Sequence, residues 1–220
     1  LNIQVNIEQP KYKSIWEYFV SRSIESNNYI LDERVLYYMN IHLKDISKFT
    51  EYLNDSFYFF YFVIDELEKN DLPIELALVP FIESNYDPFS ISPSGAVGMW
   101  QFMPRTGRFY DLDRTWWNED RHDPFASTIA AVKYLEYLYK RFDKDIYLTL
   151  AAYNAGPSLL DRKIRQNKRK GSPTDFRSLD LPEQTKDYIP KYIALKELIL
   201  NSKRYEIILP DIPYEPVVTK

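Results

Sequence analysis

An all-α domain interrupted by one long, irregular loop is the fold class this sequence predicts, on three observations. Apolar residues recur at helical spacing through most of the chain. Turn-forming residues crowd into a single stretch, from Asn85 to Gly98. A chain of 220 residues also buries enough surface to hold a core without disulfide or metal.

Residues 1–10 alternate weakly and read as an extended arm. From Tyr12 to about Asn70 the pattern is helical, with runs such as Val35-Leu36-Tyr37-Tyr38-Met39 and residues 57–64. Asp71-Leu72-Pro73 predicts a helix start, with Asp71 as N-cap and the proline in the first turn. The next helix carries Ile74, Leu76, Ala77, Leu78, Val79 and Phe81, apolar nearly all round, and so belongs in the middle of a core. Pro80 lacks a backbone donor and should kink or interrupt it. After the loop, helical patterning returns at Ser127-Thr128 through Leu138 and at 146–153, and Asn154-Ala155-Gly156-Pro157 is a stop signal. A last helix is expected over 182–200, followed by a tail or linker at 205–220. No internal repeat is present. The opening lacks Met and a charged-then-apolar signal, which points to a leader removed or a trimmed end.

Composition narrows the chemistry. The formal net charge of −4 disfavours a dedicated nucleic-acid binder, which needs a basic domain to neutralise phosphates. With no Cys there is no thiolate nucleophile or zinc finger. The two His, His42 and His122, have no metal-binding spacing, so neither metal nor cofactor is expected, and His122 reads as a surface salt-bridge partner. No apolar run is long enough to span a bilayer. The aromatic fraction of 16% is high, and Tyr suits both cores and polar, ring-shaped ligands such as sugars. Arg162, Lys163, Arg165, Lys168, Arg169 and Lys170 form a basic cluster, either a solvated helix end or a surface for an anionic polymer.

Glu83 stands out. It closes an apolar helix beside Val79, Phe81 and Ile82, just where the chain enters the loop. Desolvation there disfavours the carboxylate and raises its pKa, which suits a general acid. The surrounding blocks resemble a known family. Glu83-Ser84-Asn85-Tyr86-Asp87-Pro88, the run from Ser92 to Gly107 containing Gly95, Gly98, Trp100, Gln101 and Met103, Ala151-Ala152-Tyr153-Asn154-Ala155-Gly156 and Tyr188-Ile189-Pro190-Lys191 are similar to the lytic murein transglycosylases of the goose-lysozyme-like superfamily. Trp116-Trp117, Asp123-Pro124 and residues 173–183 resemble its membrane-bound D-type subgroup, and Ser90 stands where that family usually has Ala.

The resemblance implies a lysozyme-like helical catalytic domain at 55–204, with residues 1–54 as an arm and helical extension. It implies a periplasmic enzyme acting on peptidoglycan glycan strands and associated with the outer membrane through a segment absent here. Glu83 would be the single acid and base, cleaving between N-acetylmuramic acid and N-acetylglucosamine to leave 1,6-anhydro ends. Ser92 and Tyr188 would hydrogen-bond near the carboxyl or the substrate acetamido group. Gln101, Tyr153 and Asn154 match sugar-contacting positions, and Met103 an apolar wall against a sugar face. Alternatives stay open at this level. Tyr153-Asn154-Ala155-Gly156 could be only a helix C-cap, and Trp100 core or platform. Gly95 and Gly98 read as structural, letting the backbone pass close to the glycan. A hydrolase would pair Glu83 with Asp87, Glu119 or Asp120, and a non-catalytic glycan-binding module would keep the groove alone.

Overall fold

Short side-chain caps start half of the described α-helices. In the computed structural model, which describes residues 12–23, 30–113 and 119–216, ten α-helices occur and no named strand. Ser14, Asp32, Asp45, Asp123 and Asp145 each accept from backbone N–H groups of the first turn of α1 (Ile15–Arg22), α2 (Glu33–Leu43), α3 (Ile46–Asn54), α7 (Pro124–Arg141) and α8 (Ile146–Ala155). The remaining helices are α4 (Phe60–Lys69), α5 (Val79–Ser84), α6 (Pro104–Phe109), α9 (Pro157–Arg169) and α10 (Glu183–Leu200). The arm at 1–10 and Trp116-Trp117 lie outside the described residues.

Asp71 is not an N-cap. It adopts φ 54°, and its N–H returns to the Glu68 carbonyl (3.0 Å) while that of Leu72 returns to Leu67 (3.0 Å). These two bonds close the C-terminus of α4 as a Schellman motif, with Leu72 buried beneath it. The apolar segment beyond is central, with Ile74 through Phe81 all buried. Its interruption falls one step before the proline. A 3₁₀ turn over Ile74–Leu78 gives way to α5, and Pro80 sits in the first turn of α5, where no intrahelical donor is required. Likewise, Pro157 does not only stop α8 but opens α9.

The core closes around α10, whose residues 192–199 are all buried and which packs against α2, α8 and α5. Lys196 is buried within it and pairs with Glu75 at 3.2 Å. Arg34 of α2 bridges Glu183 (2.5 Å) and Asp187 (2.9 Å) of α10. The segment read as a tail is laid against this body. Ile212 is fully buried and its carbonyl accepts from the Ile15 N–H at 2.9 Å, while Tyr214 stacks on Tyr18.

The loop between α5 and α6 is ordered by two antiparallel bridges, Ile91 with Val97 and Val97 with Phe102. Arg121 holds it from behind. Its guanidinium forks onto Glu119 (2.7 and 2.8 Å) and donates to the carbonyls of Phe102 (2.8 Å) and Gly95 (3.2 Å). Gly98, at φ 81°, is required by this same packing: a Cβ there would stand 1.8 Å from the Arg121 carbonyl oxygen. The close approach is thus between two pieces of the chain's own backbone, and at Gly98 no glycan is needed to explain the glycine. Trp100 is fully buried and donates from Nε1 to Thr128 Oγ1 (2.9 Å), which makes it core.

Candidate active site

Glu83 is fastened on both sides. After it, Asn85 (φ 58°) and Tyr86 (φ 60°) reverse the chain in consecutive left-handed conformations, a strain that only firm anchoring sustains. The anchors are visible. Tyr86 is buried against Phe60 and Phe81 and donates from its hydroxyl to the Ala77 carbonyl at 2.7 Å. The Asn85 amide is hydrogen-bonded to Asp55, and the Ser84 hydroxyl donates to the Met99 carbonyl at 2.8 Å.

A cavity of about 330 Å³ opens at Glu83. Its wall brings together all seven residues singled out from sequence: Glu83, Ser92, Gln101, Met103, Tyr153, Asn154 and Tyr188. Tyr188 donates to Glu83 Oε1 at 2.8 Å. Ser92 lines the cavity but is not on the carboxyl; its hydroxyl meets Ser94 Oγ (2.9 Å) and accepts from the Ala96 N–H (2.9 Å), tying its own turn together. The Gln101 amide donates to the Gly98 and Ser90 carbonyls (2.8 and 3.3 Å), which leaves its oxygen for a ligand. Tyr153 donates to the Trp100 carbonyl (2.8 Å), and Asn154 Oδ1 accepts from Thr185 (2.8 Å), leaving its amide N–H groups for the cavity. The run Tyr153-Asn154-Ala155-Gly156 does end α8, with Gly156 as its C-cap, and Tyr153 and Asn154 within it also line the cavity. Met103 stands 43% exposed at the rim.

Sequence reasoning missed Lys191, Gln184, Ser94, Ala96 and Ile82 in the lining. Gln184, Tyr188 and Lys191 follow at spacings of four and three, one face of α10, so the helical period would have found two of them once Tyr188 was placed. The Lys191 ammonium lies 5.3 Å from the centre of the Tyr38 ring, a cation–π contact across to α2.

The carboxyl of Glu83 keeps a small window onto the cavity but is otherwise surrounded by protein. Burial pushes its pKa up to about 7, against the opposing pull of the Tyr188 hydrogen bond and the Lys191 charge. Near neutrality it therefore exists in both forms, as a group that must first give and then take a proton requires. The other candidate carboxylates are occupied elsewhere and none lines the cavity. Asp87 caps its own turn at the Phe89 N–H (2.8 Å), Glu119 holds Arg121, and Asp120 accepts from the Asp113 N–H (3.0 Å). His122 is not a surface ion-pair partner: its Nδ1 lies 2.7 Å from the Pro88 carbonyl, bracing the loop. His42 is packed against Phe49 and Tyr52 (ring centres 4.6 and 5.6 Å apart), and burial lowers its pKa. A larger cavity of about 700 Å³, between α1 and residues 200–209, has Glu17 in its lining, and that carboxylate accepts from the Lys13 N–H.

Comparison with known proteins shows the family. The family described as Transglycosylase SLT domain matches residues 60–176. Membrane-bound lytic murein transglycosylase D of Escherichia coli (strain K12) is 44% identical over 152 residues, covering 69% of this chain and 34% of that protein. Membrane-bound lytic murein transglycosylase F of Klebsiella pneumoniae is 30% identical over 128 residues, covering 55% of this chain and 24% of that protein. Among solved structures, the 70 kDa soluble lytic transglycosylase of Escherichia coli superposes with a TM-score of 0.51 at 20% identity, over 90% of this chain and 33% of that one. An inactive mutant of lytic transglycosylase Slt from Pseudomonas aeruginosa gives 0.53 at 17% identity, with the same coverage. The chain thus spans between 24% and 34% of the length of these proteins.

Proposed function

The chain belongs to the transglycosylase SLT domain family, and from that premise we propose that it is a peptidoglycan lytic transglycosylase with Glu83 as its single acid and base. Protonated Glu83 gives its proton to the glycosidic oxygen between N-acetylmuramic acid and N-acetylglucosamine as the C1–O bond breaks. The acetamido oxygen of the muramoyl residue stabilises the cation left at C1. Glu83, now a carboxylate, takes the proton of the muramoyl C6 hydroxyl while O6 bonds to C1. No water is consumed, and the product carries a 1,6-anhydro ring. Because the nucleophile is already part of the substrate, no second carboxylate is needed to activate water.

The observation that carries this reading is the cavity with one carboxyl, Glu83, held near pKa 7. Occupation of Asp87, Glu119 and Asp120 elsewhere removes support from the hydrolase alternative. Ser92, Gln101, Asn154 and Met103 take the sugar, and Tyr188 and Tyr153 hold the walls. The proposed setting is the periplasm of a Gram-negative envelope, in association with the outer membrane, in keeping with relatives called membrane-bound. No described helix is long and apolar enough to cross a bilayer.

Mass spectrometry of soluble products from purified peptidoglycan tests the reaction. Anhydro-ended muropeptides, lighter than reducing ones by the mass of one water, are expected; reducing ends alone would overturn the lyase in favour of a hydrolase. The pH profile tests the role of Lys191. The first step needs protonated Glu83, so kcat/KM falls as pH rises through about 7. Lys191→Met removes a charge that favours the carboxylate, so this alkaline limb should move to higher pH; an unmoved or lowered limb would show that Lys191 does not act on Glu83.

A further inference from the structure

We propose that the outward face of α9 is an exosite for the carboxylate-bearing stem peptides of the glycan strand seated at Glu83, an inference that rests on the function proposed above. Residues 162–170 hold six cations and no Asp or Glu. The whole chain carries −4, so everything outside this segment sums to −10 (−4 less the six positive charges). Lys163 is engaged with Asp180 at 2.7 Å. Arg162, Arg165, Lys168, Arg169 and Lys170 are exposed, and none of them forms an ion pair with another described residue. Elsewhere some cations are paired, Lys69 with Asp65 and Glu66, Lys140 with Glu136, Arg141 with Asp161, Arg177 with Asp32, and others such as Lys44, Lys48 and Lys133 are exposed and scattered; what sets α9 apart is the density of its unpaired cations within residues 162–170.

Helix electrostatics account for part of the cluster only. Cations in the last turn, Lys168 and Arg169, are favoured by the helix dipole. Arg162 and Arg165 lie before that turn, three residues apart, where like charges repel. Leu160 is buried and Ile164 packs on the core, so Arg162, Arg165 and Arg169 share the opposite, solvent side at helical spacing.

Position and charge together select the ligand. The helix begins three residues after Asn154, whose side chain lines the cavity, and its 13 residues extend roughly 20 Å from there. A cavity of about 330 Å³ holds only a short piece of a polymer, so the strand continues past it. The sugar rings of that strand are uncharged, whereas the peptides on its muramoyl residues carry free carboxylates, for which Arg forms bidentate pairs.

The test uses the full chain with Glu83→Gln, so that strands are bound and not cut, in co-sedimentation with purified peptidoglycan sacculi. Adding Arg162→Gln, Arg165→Gln and Arg169→Gln should weaken binding about tenfold at low salt, with the difference shrinking at high salt. Sacculi whose carboxyls have been amidated should bind the parent as weakly as untreated sacculi bind the triple variant. Equal binding of parent and variant, indifference to amidation, or no sedimentation of the parent overturns the proposal. Loss of binding to phosphatidylglycerol vesicles with sacculus binding intact overturns it in favour of a membrane. Failure of the lyase reading shows separately, as absent anhydro products from the unsubstituted chain.

Discussion

The Glu83→Gln variant is expected to lose turnover on peptidoglycan by a factor of about 10³ or more, and to be harder to unfold at pH 8 than the parent. Both effects come from one cause. The carboxyl titrates near 4.5 in an unfolded chain and near 7 in the folded one, so between those values folding takes up a proton. Stability contributed by the neutral form is fully present below about 4.5, is lost as pH rises toward 7, and stays lost above it. An uncharged glutamine does not pay this penalty and can still accept the Tyr188 hydrogen bond. The gain should reach about 2 to 3 kcal/mol at pH 8 and vanish at pH 4. Urea unfolding of both proteins at the two pH values measures it. A variant no more stable at pH 8 would mean that the carboxyl is solvated and its pKa ordinary.

The second large effect is structural. Gly98→Ala should cost more than about 4 kcal/mol, a fall in Tm of about 10 °C or more, because the new methyl cannot coexist with the Arg121 carbonyl 1.8 Å away. Gly95→Ala provides the contrast. Its φ of 84° is as demanding, but no heavy atom lies within 4 Å of the added carbon, so only the backbone penalty of about 1 kcal/mol applies. Thermal unfolding of the two variants separates clash from conformation, and similar losses would show that the loop yields around Gly98. Activity should fall with Gly98→Ala even where the protein remains folded, since the same loop carries Ser92, Gln101 and Met103 into the cavity.

Much of this architecture was legible in the chain. The apolar run from Ile74 to Phe81 announced a buried centre, and the turn-rich stretch announced the loop, because both are local patterns. Glu83 was legible as a carboxyl at an apolar helix end, and the remaining cavity residues through motif resemblance. What the chain did not disclose is what distant segments do to one another. Arg121 draws no notice in the sequence, yet it is 4% exposed, donates to two carbonyls of the loop and forks onto Glu119; nothing local to Asp120-Arg121-His122 marks it. Asp71 was misread because an aspartate before a proline suits a helix start, whereas the left-handed closure of α4 depends on the carbonyls of Leu67 and Glu68. Gly98 is structural, as read from the sequence, but the neighbour it makes room for is the Arg121 backbone and not a glycan.

The bridge that Arg34 makes to Glu183 and Asp187, with the contact of Lys191 on Tyr38, has a further consequence. The family model matches residues 60–176, but two helices that complete the cavity, α2 as outer support and α10 as bearer of Tyr188 and Lys191, lie on either side of that stretch. What packs together around the cavity is therefore larger than the matched stretch. A fragment cut at residues 60 and 176 would keep Glu83 and lose the hydroxyl that holds it.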